Sequence, residues 1–196
     1  MSGAEGQKGK LGAIALARHG RPTVRRQGWT DWKGFNVWWD SYEKSGLDPK
    51  SIPTDSLREE AGNASVLIAS PIPRAQETAR AVCGTREVET SDLFLEAPLP
   101  APPMPISLPM SAWWVIGRFY WWLGYLGDFE CRKDVEARAE LAADKVIAAA
   151  ERGDVLVCAH GWFNRMVGRR LKRRGWRVVH NGGDAYWGWR KYLPPS

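Results

Sequence analysis

Arg18-His19-Gly20 closes the apolar run Leu11-Gly12-Ala13-Ile14-Ala15-Leu16-Ala17. Asp154-Val155-Leu156-Val157-Cys158-Ala159 leads in the same way into His160-Gly161. The chain has 3 histidines, and two of them end apolar, strand-like runs, each followed by glycine. In open α/β sheets that edge is where ligands bind. A third run, Ser65 to Ala69, passes through Ser70-Pro71-Ile72-Pro73 into a helical stretch with Arg74 in its first turn. Free amides and the helix dipole attract anions there.

Arginine forks match the oxygens of a phosphoryl group. Arg18, Arg74 and the Gly161 backbone are therefore candidate phosphate contacts. Arg21 and Arg25 can add to that pocket or read substrate charge. An imidazole among guanidiniums keeps a low pKa and a free lone pair, as a nucleophile needs. His19 is the candidate nucleophile and His160 the second catalytic imidazole. Glu96 follows Leu93-Phe94-Leu95 and can give a proton to a leaving oxygen, then take one from water. Glu77, Asp92 and Glu130 are its rivals. The chemistry calls for no metal and no cofactor, because guanidiniums and the second imidazole can carry the charge on phosphorus.

These residues need strands and helices in alternation to meet. Strands are expected over residues 11–17, 65–69, 87–89, 155–159, 176–179 and 185–189. Helices are expected over 36–45, 54–61, 74–83, 112–124, 132–151 and 162–173. Residues 21–35 read as a loop, and the proline-rich stretch 97–110 can be neither regular helix nor central strand. The pattern predicts an α/β layer fold with a mostly parallel sheet. Residues 1–10 read as a loose tail and 11–196 as one domain, with a proline-rich, aromatic lid or insertion at 97–128.

The 196 residues suffice for one domain with a real core. A net charge of +6 favours anionic partners: a phosphorylated substrate, a nucleic acid or an acidic membrane surface. The basic run Arg169-Arg170, Lys172-Arg173-Arg174 suits a solvated helix C-terminus better than nucleic-acid binding. Cys83, Cys131 and Cys158 show neither disulfide nor metal spacing and imply a reducing compartment, so a cytoplasmic location is expected. Lys8, Lys10 and Ala15-Leu16-Ala17 loosely imitate a signal peptide, but cleavage there would remove the strand carrying His19. No stretch has the ~18 apolar residues of a spanning helix. The chain has 12 tryptophans, and the cluster Trp113, Trp114, Phe119, Tyr120, Trp121 and Trp122 puts rings on both faces of one helix. One-sided core packing does not account for it, which leaves a substrate lid, a homodimer interface or membrane-surface contact.

Taken together, Arg18-His19-Gly20, Ser70-Pro71-Ile72-Pro73-Arg74-Ala75-Gln76-Glu77-Thr78-Ala79 and Ala159-His160-Gly161 resemble the histidine phosphatase superfamily, the phosphoglycerate mutase-like enzymes. Order and spacing match over roughly residues 11–170. The resemblance implies a three-layer α/β/α fold and a phosphohistidine at His19, with Arg18, Arg74 and His160 on the phosphoryl oxygens. Glu96 matches the proton donor of the family's larger branch; the other branch has aspartate where Gly161 stands. The chain departs from many relatives in Arg21-Pro22-Thr23-Val24-Arg25, and from the mutases in Ala97-Pro98-Leu99-Pro100. The expected function is a metal-independent phosphomonoester hydrolase, a phosphatase acting on a phosphorylated small molecule with or without an apolar group. The alternatives are a protein phosphohistidine phosphatase, a mutase-type phosphotransferase and a non-catalytic phospho-ligand binding module.

Overall fold

The computed structural model describes residues 10–124 and 129–196. Most of the expected tail 1–10, and residues 125–128 of the expected lid, lie outside the described residues. The strands are β1 (Ile14–Arg18), β2 (Trp29–Thr30), β3 (Val66–Ala69), β4 (Glu89–Thr90), β5 (Leu108–Pro109), β6 (Val155–Ala159), β7 (Arg177–Asn181) and β8 (Trp189–Leu193). The helices are α1 (Trp32–Glu43), α2 (Asp55–Asn63), α3 (Pro73–Cys83), α4 (Met110–Trp122), α5 (Arg132–Ala149) and α6 (Gly161–Arg173).

Six strands form one sheet in the order β4-β3-β6-β1-β8-β7. The first four run parallel, and β8 and β7 run antiparallel at the far edge. β1, β3 and β6 are continuous apolar runs because both faces of the sheet are covered. Alternation within β1 divides the core. Ile14 and Leu16 pack with α5 and α6 through Val146, Phe163 and Val167, whereas Ala15 and Ala17 pack with α2 and α3 through Leu57 and Ala79. The expected three-layer α/β/α architecture with a mostly parallel sheet is what the chain adopts.

Register decides where the site lies. Arg18 pairs with Ala159, and Ala69 pairs with Cys158, so β1, β3 and β6 end level. His19, Ser70 and His160 follow at once, and α3 and α6 start from the same edge. Pro73 opens α3, at a position where its missing N–H has no helical partner.

A third cluster sits above this edge. Phe35, Trp39 and Tyr42 of α1 pack against Leu99 and Ala101 of the proline-rich stretch and Met110 and Trp113 of α4. Helix α1 starts four residues before the expected helix because Asp31 caps it, its Oδ1 accepting the Gly34 N–H at 2.8 Å. The two-ring-face puzzle of α4 resolves in two burial sites: Trp113 belongs to this upper cluster and Trp121 to the main core.

Further departures from expectation are local. Ala185 to Trp189 is mostly turn, and the closing strand begins at Trp189. The stretch before Glu96 is a 3-10 turn, Asp92–Phe94. The basic end of α6 is only partly solvated: Arg170 and Arg174 reach Glu140 of α5 at 3.0 and 2.9 Å. His180 lies in β7 and stacks on Trp189 at 3.9 Å. Cys83, Cys131 and Cys158 are free thiols. No helix among the described residues is long and apolar enough to cross a membrane.

Candidate active site

Arg74 is the hub. It is wholly buried, and every nitrogen of its guanidinium has an acceptor. Nε donates to His19 Nε2 at 3.2 Å, and Nη2 approaches His160 Nδ1 at 3.4 Å. Nη1 donates to the Tyr42 carbonyl at 2.6 Å, and Nη2 to Glu43 Oε1 at 2.7 Å. The Tyr42 ring lies beneath the guanidinium, 4.2 Å from its carbon. The two imidazoles meet edge to face with centroids 5.3 Å apart.

These contacts set the tautomers. His19 Nδ1 lies 2.7 Å from the Gly20 carbonyl, which only accepts, so the proton sits on Nδ1 and Nε2 keeps its lone pair. In His160 the Arg74 donor faces Nδ1, so Nε2 carries the proton and donates to Ser70 Oγ at 2.9 Å. Burial holds the pKa of His19 well below the ordinary histidine value, and the Arg74 and Arg18 charges lower it further. Burial, then Arg74, does the same to His160. Both rings are neutral near pH 7.

Arg18 forms another wall of the site. Its Nη1 donates to the Asp184 carbonyl at 2.5 Å, and its guanidinium lies over the Tyr186 ring at 4.4 Å. Its buried Nε finds no acceptor among the described residues. A buried N–H without a partner is costly unless something fills the place. A Cβ at Gly161 would stand 3.2 Å from Arg18 Cδ, so glycine there lets the guanidinium lie close against the start of α6.

Glu96 holds the N-terminus of α6. Its oxygens accept the N–H groups of Phe163 at 3.0 Å and Trp162 at 3.3 Å, as well as that of Ala97 at 2.9 Å. Glu96, Arg18 and Gly161 all line one cleft of ≈ 610 Å³. Trp39, Trp114, Phe119, Trp122 and Trp162 supply its aromatic walls.

Of the expected site residues, Arg18, His19, Arg74, His160, Gly161 and Glu96 are brought to this edge. Arg21 and Arg25 are not, which corrects the expectation for them. Arg21 turns to Asp48 at 3.2 Å; the Lys50 N–H bonded to that carboxylate lowers its pKa most, and the charges of Arg21 and Arg25 lower it further. Among the rivals to Glu96, Glu77 accepts the Leu47 N–H at 2.6 Å, and Glu130 is paired with Arg138. Sequence reasoning missed Tyr42 and Glu43, which α1 carries to Arg74 across more than thirty residues with no local signal. It missed Asp184 and Tyr186 for the same reason. Among the described residues no group of three or more His, Cys, Asp or Glu side chains is placed to hold a metal.

No family model matches the chain, and no curated protein does. Solved structures do match. A mycobacterial glucosyl-3-phosphoglycerate phosphatase in complex with VO3 is similar over 91% of this chain and 91% of its own, with TM-score 0.56 and 17% identity. Phosphoglycerate mutase from Bacillus anthracis str. Sterne covers 85% of this chain and 82% of its own, at TM-score 0.54 and 15% identity. A phosphoserine phosphatase variant from Entamoeba histolytica, bound to phosphoserine, covers 83% and 81%, at TM-score 0.53 and 15% identity. The chain thus has the phosphoglycerate mutase-like fold, the fold of the histidine phosphatase superfamily that its three motifs resemble.

Proposed function

We propose that the chain is a phosphomonoesterase that works through a phosphohistidine at His19, with no metal in the chemistry. The observation that supports this most is the single guanidinium of Arg74 spanning both imidazoles, 3.2 Å from His19 Nε2 and 3.4 Å from His160 Nδ1. A phosphoryl group entering beside it takes over the Arg74 donors and the unpartnered Arg18 Nε, and so releases the His19 lone pair. The phosphatases among the structures of similar fold support the phosphatase part of this reading.

The reaction runs in two displacements. His19 Nε2 attacks phosphorus; the N–P bond forms as the bond to the leaving oxygen breaks. Glu96 gives that oxygen its proton. The Gly20 carbonyl, holding Nδ1–H, stabilises the positive charge that develops on the ring. Water then attacks phosphorus and passes a proton to Glu96, the N–P bond breaks, and inorganic phosphate leaves. Arg18, Arg74 and the Gly161 amide hold the equatorial oxygens.

The test is hydrolysis of p-nitrophenyl phosphate with chelator present, together with trapping of labelled phosphate on alkali-denatured protein. The wild-type chain should carry an acid-labile label. His19→Ala should carry none and lose at least about a thousandfold in kcat. Undiminished turnover by His19→Ala overturns the reading. Release of phosphate from a phosphohistidine peptide but from no ester identifies a protein phosphohistidine phosphatase; dependence on a bisphosphate primer identifies a mutase; binding without turnover identifies a binding module.

A further inference from the structure

The cleft above Arg18 is larger than a phosphoryl group needs and has an unusual lining. Val115, Phe119 and Trp122 stand at positions i, i+4 and i+7 of α4 and form one stripe along its cleft side. They are 70%, 56% and 55% exposed, although they are among the most apolar side chains of the chain. An apolar patch of this kind on a monomer marks a place where something apolar binds. Trp39 of α1 and Trp162 of α6 line the same cleft from other elements, and Trp114 of α4 lines it beside the stripe. The volume of ≈ 610 Å³ lies within the usual range for small-molecule sites, about 300–1,000 Å³.

The charges in the cleft limit what else the occupant can carry. Three cationic side chains line it: Arg18, Arg118 and Arg165. Arg18 belongs to the phosphoryl end. Arg165 is already paired with Asp184 at 2.6 Å. Arg118 donates to the Pro98 carbonyl at 3.1 Å, lies over Trp162 at 4.6 Å and feels the opposite charge of Glu96. Arg118 has no ion-pair partner among the described residues, but its Nη1 and Nη2 are taken by the Pro98 and Ala97 carbonyls, and Glu96 and Asp184 would repel a second phosphate or a carboxylate.

We infer that the substrate is a phosphomonoester of an uncharged, apolar alcohol, with the phosphate as its only ionised group and its body lying against Val115, Phe119 and Trp122. This rests on the phosphatase reading above and adds the class of leaving group. A free alkyl or aryl phosphate and a lipid phosphate presented by a bilayer share this chemistry.

The experiment is a chain-length series, ethyl to hexyl phosphate, beside 1-naphthyl phosphate, phosphoserine and 3-phosphoglycerate. A buried methylene is worth about fourfold in kcat/KM. The expected result is a rise of about that size per carbon, with phosphoserine and 3-phosphoglycerate at least about a hundredfold below hexyl phosphate. Phe119→Ala combined with Trp122→Ala should flatten the slope. Phosphatidylcholine vesicles doped with phosphatidic acid form the second arm; turnover there without turnover of soluble alkyl phosphates locates the same chemistry in a bilayer. A flat series together with no turnover of the vesicles, or a preference for phosphoserine or 3-phosphoglycerate, overturns the inference and leaves the phosphatase reading standing. If no ester is turned over, that reading fails, and calorimetric binding of the same series to the wild-type chain decides this inference by itself: affinity rising with chain length upholds it, and equal affinity ends it.

Discussion

Arg74 Nε and His19 Nε2 lie 3.2 Å apart with the donor on the arginine, so the lone pair proposed to attack phosphorus is occupied while no phosphoryl group is present. The nucleophile is thereby held in aim and out of use. A phosphoryl oxygen is a stronger acceptor for the guanidinium than a neutral ring nitrogen, because the pairing is charge-assisted on both sides. Binding of the anion and release of the nucleophile become one event.

That relationship needs a planar fork. Lysine at position 74 keeps the charge but cannot donate at once to His19, to the Tyr42 carbonyl and to Glu43. Arg74→Lys should lower kcat/KM by about a hundredfold or more, the usual cost of losing a transition-state donor. Steady-state kinetics on p-nitrophenyl phosphate measure it. Activity within a few-fold of wild type would mean that point charge alone suffices.

Two carboxylates compete for the acid role. Burial raises the Glu43 pKa, with Arg74 pulling it back and the Glu96 charge pushing it further up. Glu96 faces the cleft and accepts amide hydrogens from α6. If Glu96 protonates the leaving oxygen, Glu96→Gln should slow alkyl phosphates by about 10²–10⁴-fold and nitrophenyl phosphate far less. Glu43→Gln should act on phosphate affinity through Arg74 and lower all esters alike. A leaving-group dependence that appears in Glu43→Gln and not in Glu96→Gln would exchange the two roles.

The elements that carry the motifs were readable because they are buried on both faces. Apart from Arg18 at the end of β1, these three strands, β1, β3 and β6, have no charged residue, so their runs stood out and their ends lay close to where they were expected. α1 was read late because Trp32 to Phe35 resembles an aromatic loop until Asp31 is seen to cap it. Glu43 and Tyr42 are ordinary helix residues by type; only the packing of α1 under the proline-rich stretch gives them a place at Arg74. Arg21 and Arg25 follow the motif closely in sequence, but Pro22 pairs with Leu47 and takes the chain away toward Asp48. The motif arginines lie on strand ends and helix starts and could be placed from sequence; contacts made between separate layers could not.

Two buried neutral histidines make the fold sensitive to acid. In the unfolded chain both rings take up protons near the ordinary value of about 6.5, whereas in the fold both stay neutral to well below it. The unfolded state therefore binds more protons as pH falls, and stability falls with it. Stability is full above about pH 7 and declines by about 1.4 kcal/mol per pH unit for each ring below about 6.5, until the folded-state pKa is reached. Glu43, with its raised pKa, takes up a proton in the fold first and offsets part of the decline at the acid end. Urea unfolding between about pH 7.5 and pH 5 measures the slope, and His160→Gln should remove about half of it. A slope that is unchanged in that variant would show that His160 titrates alike in both states.

Gly20 and Gly161 flank the two imidazoles but differ in what surrounds them. A Cβ on Gly20 would lie 2.2 Å from Cζ2 of Trp187, a buried ring whose Nε1 donates to Ser51 Oγ at 2.9 Å. Trp187 already has a left-handed backbone with φ 65°, rare for a bulky residue, so it has little freedom to retreat. Gly20→Ala must instead move the end of β1, and with it the Gly20 carbonyl that holds Nδ1 of His19. It should cost about 1–3 kcal/mol of stability by overpacking and lower kcat as well, since the ring loses its aim. At Gly161 the new Cβ meets only the Arg18 side chain, its Cδ at 3.2 Å and its Nε at 3.3 Å, so Gly161→Ala should leave stability within about 1 kcal/mol and, by pushing the guanidinium, act mainly on KM. Paired thermal melts and kinetics on the two variants check the contrast. Equal losses of stability in both would mean that the indole of Trp187 yields as readily as the arginine stem, and that the end of β1 is not what aims His19.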